Sequence, residues 1–441
     1  MAKKSGVFFV GICKKFIQSP EVKKLYRVKA SDFTRNRKFG FEGLVYCLIC
    51  LLRQNIQIEL NKYIKSIDKP SRADLSSISS SAFVQHRKKL KPEMFYDLNA
   101  VVVDEYYNNN DENVDLYKGY RLLAIDGSAI TLPVNKETKQ VYGIYNNQNK
   151  SNDVVLGRAS VLYDLLNDLA IDAKLSPFKT SELDLAITHL QHLQKNDIVI
   201  MDRGYPSFKI MYELKKHNVD FIIRCKTSFS SITQAFFESD KKEDIVELFP
   251  GQKKSFLGLL YNKRSSIKVR LVKIELNSGE TEILITSLLN SVEFLYENFE
   301  ALYFKRWGIE TYYDKFKNII GVEKFSGTSS QFIQQEFNCA VYLSNMQSIL
   351  TKDAQAEVEE KYKHRKYEYK INSSLSLCFI REKLISVFTS DDNDEKILNE
   401  LKTLFIRNVV PIRPGRKFSR NHEKYRHREK PKQFQNRRTN L

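Results

Sequence analysis

The chain has 441 residues, a formal net charge of +18 and 42% apolar residues, including 28 Phe and 23 Tyr. This apolar content excludes a chain that is disordered throughout and allows two or three domains with sizeable cores. The positive charge favours an anionic partner, either a nucleic acid or an anionic membrane surface. The longest apolar run, Leu44–Leu52, has nine residues. A spanning helix needs about 20, so we expect a cytoplasmic protein without a membrane.

Residues 1–115 predict a helical domain, because their apolar residues are spaced irregularly and never alternate for long. In the segment SSSAFVQHRKKLKPEMF, Ser80 or Ser81 is placed to cap a short helix whose exposed side carries the basic residues 86–89. Such a helix resembles one that reads DNA, and a solvated basic face fits the spacing equally well. We therefore assign residues 1–115 to a helical, DNA-binding N-terminal domain.

Residues 116–225 predict three strands, a helix, a strand, a helix and a strand. The apolar run Leu122–Ile125 ends on Asp126, as a buried strand would if it delivered a carboxylate to its C-terminal edge. The run Ile198–Met201 repeats this pattern and ends on Asp202. A buried, unpaired carboxylate is costly, so each aspartate should have a positively charged partner, and a metal ion would supply one.

Residues 226–286 contain turn residues and alternating segments such as IKVRLVKIEL, which predict a β-rich insertion. The following segment, YFKRWGIETYYDKFK, predicts a helix that is polar over about one quadrant at roughly 100° per residue. We call this quadrant the polar stripe; it consists of Tyr303, Arg306, Trp307, Glu310, Asp314 and Lys317. Beside it lies an apolar stripe that would seat the helix on a core, formed by Leu302, Ile309, Tyr313 and Phe316.

The polar stripe has two interpretations. Ion pairs of Glu310 with Arg306 and with Lys317 would make it a solvated face. Alternatively, Glu310 joins Asp126 and Asp202 to hold two Mg²⁺ ions, roughly 3.5–4 Å apart, which suits in-line phosphoryl displacement. Arg306 and Lys317 would then flank the carboxylate with cations suited to phosphate. Three acids in this order on a strand and helix framework favour the second interpretation.

The spacing of Tyr303, Arg306, Glu310 and Lys317 resembles the signature of the insertion-sequence-four family of bacterial DDE transposases. The segments IDGS and MDRGYPS resemble the two aspartate motifs of that family, and the resemblance extends over about residues 121–317. It implies an α/β protein with a ribonuclease H-like catalytic core interrupted by the β-rich insertion. It also implies cut-and-paste transposition by a homodimer that bridges two transposon ends.

The resemblance also implies roles for single residues. Asp126, Asp202 and Glu310 would be the catalytic residues and the ligands of two Mg²⁺ ions, for which we expect Mn²⁺ to substitute. The residues expected to contact DNA are Tyr303, Arg306, Lys317, Trp307 and Arg203. The implied partners are the terminal inverted repeats and the target DNA, and the implied location is the bacterial nucleoid in the cytoplasm.

One feature departs from the family pattern. Well-known relatives stack a flipped base on a tryptophan of the insertion, whereas the single tryptophan of this chain is Trp307, within the signature. Phe256 or Tyr261 is then a candidate for stacking, unless the hairpin step proceeds differently. His189 and His192, outside these motifs, lack evident metal partners and are expected at the surface.

The rest of the chain completes the expected organisation. Residues 287–350 would be the second part of the core with the glutamate helix, and residues 351–410 a helical region suited to dimerisation. Residues 411–441 carry 11 Lys or Arg against two Glu, a tail suited to phosphate backbones. Two other functions would use a similar chain: a ribonuclease H-like nuclease or resolvase that cuts without joining, and a domesticated DNA-binding protein.

Overall fold

The computed structural model describes residues 5–35, 39–50, 55–67, 78–108, 114–145, 153–252, 258–275, 279–389 and 394–413. Phe256 and the basic tail from residue 414 onwards therefore lie outside the described residues. The structure is α/β, with helices on either side of a sheet-forming middle region. Over the ranges just given, none of the helices combines the length and apolar character needed to cross a membrane.

The elements follow one another as helices, then alternating strands and helices, then helices again. The helices are α1 (Gly6–Gln18), α2 (Pro20–Tyr26), α3 (Phe41–Ile49), α4 (Ile56–Ile67), α5 (Ser80–Arg87), α6 (Glu93–Tyr107), α7 (Lys136–Tyr142), α8 (Glu182–Thr188), α9 (Phe208–Lys216), α10 (Ser231–Glu238), α11 (Phe299–Phe304), α12 (Trp307–Asp314), α13 (Ser330–Tyr362), α14 (Ser373–Thr389) and α15 (Asp394–Arg407). The strands are β1 (Arg121–Leu132), β2 (Val155–Asp164), β3 (Leu169–Pro177), β4 (Asp197–Met201), β5 (Asp220–Cys225), β6 (Glu243–Leu248), β7 (Ile267–Glu275), β8 (Thr281–Thr286), β9 (Tyr369–Ile371) and β10 (Val409–Pro411).

One mixed sheet organises the middle of the chain, with the strand order β3-β2-β1-β4-β5-β8-β7-β6. Strands β1 to β3 are antiparallel neighbours, whereas β4 and β5 run parallel to β1. The predicted succession of strands and helices is thus confirmed, with the additional helix α7 between β1 and β2. The strands predicted in residues 226–286 also form, and they extend this sheet because β8 pairs with β5. The domain boundaries stay predictions.

Strand β1 is longer than the sequence pattern predicts. It does not end at Asp126 but continues to Leu132, because β2 pairs with it along this whole stretch, Asp126 lying opposite Val161. Only the parallel pairing with β4 stops early, at Ala124 opposite Ile200. Asp126 therefore lies inside an antiparallel ladder on one side and at the open end of a parallel ladder on the other.

The N-terminal helices share one apolar core with the C-terminal helices and one face of the sheet. Phe9 of α1, Leu98 of α6, Phe337 of α13 and Leu384 of α14 all belong to it and are almost fully buried. A second core lies on the other sheet face, under α8 and α9. Helix α12 packs into the first core through Ile309, so the helix that carries Glu310 is fixed against the sheet.

Arg87 is not on an exposed face, as the basic segment 86–89 led us to expect. Only 1% of the residue is exposed. Its guanidinium forms an ion pair with Glu336 at 2.9 Å, and its Nε donates to Oε1 of Gln335 at 2.7 Å, both on α13. A buried charge needs such partners, so Arg87 fastens α5 to α13 and faces away from solvent. The helix begins at Ser80 with Ser79 as its cap.

His189 is also buried, and the prediction of a surface position is wrong. Helix α8 ends at Thr188, and His189 turns towards the β2–β3 ladder. There its Nδ1 lies 2.7 Å from Oδ2 of Asp172 and its Nε2 lies 2.9 Å from Oγ of Ser160. These two polar contacts allow an imidazole to be buried between a helix end and the sheet.

Candidate active site

Asp126 and Asp202 stand at the same level on adjacent strands. Strands β1 and β4 pair in parallel with Ala124 opposite Ile200. Each aspartate follows two residues later on its own strand, so the register brings them side by side at one edge of the ladder. This juxtaposition is what the two apolar runs ending in aspartate predicted.

The main chain orients both aspartates. Oδ1 of Asp126 accepts a hydrogen bond from the Gly127 amide at 2.8 Å, and Oδ1 of Asp202 accepts one from the Gly204 amide at 2.8 Å. From α12, the Tyr313 hydroxyl donates to the main-chain carbonyl of Asp126 at 2.9 Å. The glutamate helix is thereby linked directly to the strand position that carries the first aspartate.

Glu310 and Arg306 act electrostatically on Asp126. Burial raises the pKa of Asp126 to about 7, against the hydrogen bond from Gly127. Among the charged neighbours, Asp202 and Glu310 add to the rise, and Arg306 opposes it. A carboxyl group with two acidic neighbours resists ionisation because like charges repel. The three predicted acids therefore belong to one electrostatic cluster.

The donor set suits a hard divalent cation. Carboxylate oxygens are the ligands that Mg²⁺ prefers, and a cation between them would relieve the repulsion that raises the pKa of Asp126. Within the part of the chain that the structure describes, no three His, Cys, Asp or Glu side chains lie close enough together to hold a metal ion. The acids are thus near neighbours that would have to draw closer around a cation.

The polar stripe does not lie on one continuous α-helix, and that prediction is wrong. Helix α11 ends at Phe304, and Lys305 and Arg306 form tight i to i−3 hydrogen bonds to Leu302 and Tyr303. After α12 the chain continues as a π-helix over Lys315–Ile320. A tight turn and a wide turn both depart from 100° per residue, so the stripe angles drawn on an ideal helix do not hold.

Tyr303 and Arg306 are buried, which excludes a merely solvated face at these positions. Arg306 donates from Nη2 to Oε1 of Glu310 at 2.7 Å, so one of the two predicted ion pairs exists. Nevertheless, the Nε of Arg306 and the hydroxyl of Tyr303 are buried without a hydrogen-bond partner among the described residues. Such orphaned polar atoms beside a carboxylate are expected where a polar ligand binds. Trp307 is 43% exposed, with the Arg306 guanidinium 5.3 Å from its ring centre.

Lys317 reaches the site from the π-helix. Its ammonium donates to Oγ of Ser128 at 2.6 Å. Ser128 is two residues after Asp126 on β1, and alternate residues of a strand face the same side, so Lys317 lies on the same sheet face as Asp126. Burial lowers the pKa of Lys317, as expected for an ammonium removed from water.

The remaining predicted residues lie further out. Arg203 is exposed in the turn after Asp202. Its charge and that of Arg306 both lower the pKa of Glu282, whose net shift is upward because of burial, so the two arginines flank one edge of the sheet. Asp314 is exposed and bonded to Asn318, and it does not join the three acids. Tyr261, the described candidate for stacking, is buried against Phe208 and Tyr212.

Sequence reasoning missed a second ion pair at the site. Glu182 of α8 pairs with Arg158 of β2, and a Cβ added to Gly127 would lie 3.2 Å from Cγ of Glu182. The glutamate therefore packs on the backbone next to Asp126. Its only sequence signal is the absence of a side chain at residue 127, which leaves room for it.

Comparison with known proteins identifies the family. The family described as "Transposase DDE domain" matches residues 117–346, a stretch that contains all three acids. The chain belongs to this family. Transposase InsG of insertion sequence element IS4 from Escherichia coli K12 is 22% identical over 312 residues, which cover 68% of this chain and 67% of that protein. The resemblance to insertion-sequence-four DDE transposases is thereby confirmed.

A solved structure is also similar to this transposase-family chain. It is the cryo-EM structure of a piggyBac transposase synaptic complex with hairpin DNA, with a TM-score of 0.45 and 9% identity. The similarity covers 94% of this chain and 88% of that one.

We predict that Asp126→Asn stabilises the cation-free protein at high pH. The folded-state pKa of about 7 lies above the ordinary value, so the charged carboxylate costs folding free energy above pH 7. The gain at pH 8 should be up to about 4 kcal/mol and should shrink as the pH falls towards 5, where Asp126 is protonated in the folded state. Thermal melting in EDTA at both pH values measures this.

The matched control is Asp184→Asn, which removes an exposed carboxylate from α8. Its melting temperature should change little at either pH. Equal effects of the two substitutions would show that Asp126 carries no unusual electrostatic cost.

Proposed function

We propose that this chain is a transposase that cleaves DNA at the ends of its element and joins the 3′-hydroxyl ends to target DNA. Asp126, Asp202 and Glu310 serve as its catalytic triad. The proposal is carried by one observation: Asp126 and Asp202 share a register position on parallel strands, and Glu310 acts on the same carboxyl group from a helix packed across them. Family membership supports the same activity class.

The three acids would hold two Mg²⁺ ions, with Mn²⁺ as a substitute. Bound there, the ions would activate the attacking water or hydroxyl and stabilise the leaving oxygen. The chain itself contributes orientation: the Gly127 and Gly204 amides fix the two aspartates, and Tyr313 fixes the strand beneath. The strand order β3-β2-β1-β4-β5, with the first three antiparallel, supports the ribonuclease H-like core implied by the sequence.

The cationic and aromatic residues around the acids would bind the DNA strand. Arg306 and Tyr303 present buried polar atoms without partners, and Lys317 lies on the same sheet face as Asp126. Phosphate oxygens accept hydrogen bonds from such groups. Trp307 and Arg203 are exposed beside them and would contact DNA further from the cleaved bond. The terminal inverted repeats and target DNA are the proposed partners, bound by a homodimer.

We predict that alanine at any one of Asp126, Asp202 and Glu310 abolishes cleavage of DNA that carries the element's terminal repeat. Binding of that DNA should change little, because these residues hold cations and do not contact phosphate directly. Single-turnover cleavage in Mg²⁺ and equilibrium binding in Ca²⁺ measure the two effects. Retained Mg²⁺-dependent cleavage in any of the three would refute its place in the triad.

The control for this test is Asp314→Ala. Asp314 lies on the same helix as Glu310 but is exposed and bonded to Asn318. Its loss should leave cleavage unchanged. Strand transfer into a plasmid is measured in the same reactions, because cleavage without joining would identify a nuclease or resolvase instead of a transposase.

A further prediction concerns Arg306 and Lys317. If they serve only in helix-stabilising contacts, each alanine variant loses about 0.3–0.5 kcal/mol and catalysis follows stability. If they hold the phosphate, cleavage should fall about a hundredfold, beyond any change in melting temperature or DNA affinity. Lys305→Ala, one residue before Arg306 and exposed, is the charge-matched control. A loss of cleavage equal to that of the control would show that these contacts are structural.

A further inference from the structure

Tyr205 lies in the turn that follows Asp202 and is almost completely buried. Only 2% of the residue is exposed. Its main-chain amide donates to the carbonyl of Asp202 at 3.3 Å, which fixes the turn. Its hydroxyl is buried and has no hydrogen-bond partner among the described residues. A buried hydroxyl without a partner costs about 1–3 kcal/mol, so its retention calls for an explanation.

The surroundings of this hydroxyl are acidic. Burial raises the pKa of Tyr205, and the charges of Asp126, Glu182 and Asp202 raise it further. Glu182 is held against the backbone of Gly127 and paired with Arg158, so its carboxylate stays at this place. A phenol held among carboxylates is a donor facing acceptors, and the donor is the scarce partner there.

A second tyrosine shows how the same floor of the site is built. The Tyr313 hydroxyl donates to the carbonyl of Asp126 at 2.9 Å, and the pKa of Tyr313 is raised by burial, by Asp126 and by Tyr205. The two tyrosines are therefore neighbours beneath Asp126. Tyr313 has an acceptor in the main chain, whereas Tyr205 has none, and the Asp126 carboxylate is the acceptor that this arrangement leaves for it.

We propose that Tyr205 is a positioning residue whose hydroxyl donates a hydrogen bond to the Asp126 carboxylate when the acids hold a divalent cation. This inference rests on the proposed function, because it assigns Tyr205 to the cation site described above. Groups that hold metal-binding carboxylates from behind set their orientation, and their loss typically costs about 10–100-fold in metal affinity or activity. The site would thus include a hydroxyl in addition to the three acids.

Tyr205→Phe tests this by removing the hydroxyl and keeping the ring. The matched control is Tyr312→Phe, since the Tyr312 hydroxyl is equally buried and without a partner, but burial alone raises its pKa. Binding of Mn²⁺ to the DNA-free protein is measured by electron paramagnetic resonance, and melting is measured in EDTA. We expect Tyr205→Phe to weaken Mn²⁺ binding about tenfold or more, Tyr312→Phe to leave it unchanged, and neither to lower the melting temperature.

Each other outcome counts against the inference. If both variants bind Mn²⁺ like the wild type, Tyr205 does not position a cation ligand, and the proposed function is untouched. If Tyr205→Phe melts several degrees below Tyr312→Phe, the hydroxyl stabilises the cation-free fold, and its role is structural. If the wild type itself binds no Mn²⁺, the two-metal site and the role of Tyr205 are both refuted.

Discussion

Electrostatic repulsion among buried carboxylates is the constraint on which this structure depends. The parallel pairing of β1 with β4 sets Asp126 beside Asp202, and the packing of α12 adds Glu310 to the same cluster. Together they raise the pKa of Asp126 to about 7, so the cation-free fold carries a cost that a divalent cation would remove. Stability is given up where the chemistry requires charge.

The rest of the molecule holds this cluster in place. Helix α13 joins the N-terminal helices to the face of the sheet on which α12 packs, and Arg87 with Glu336 is one of its fastenings. Tyr313 ties α12 to the main chain of Asp126, and Lys317 ties the π-helix to Ser128. Because these contacts come from elements far apart in sequence, the cluster exists only in the complete fold.

Sequence patterns predicted the strands that deliver Asp126 and Asp202, because a buried run that stops at a carboxylate is a local signal. They also predicted the burial of the apolar stripe beside Glu310. They did not predict the turn at Lys305 or the π-helix, since these depend on how α11 and α12 pack against the sheet. The buried positions of Arg87 and His189 depend on partners 17 or more residues away, in α13 and β3, which no local pattern reveals.

The central claim is that three acids from two strands and a helix form one divalent-cation site. Anomalous scattering from crystals of the wild-type protein grown with Mn²⁺ and terminal-repeat DNA tests this most directly. The account predicts two Mn²⁺ peaks contacted by Asp126, Asp202 and Glu310, with the Tyr205 hydroxyl within hydrogen-bonding distance of Asp126. Mn²⁺ bound elsewhere, or no peak between these carboxylates, would contradict it.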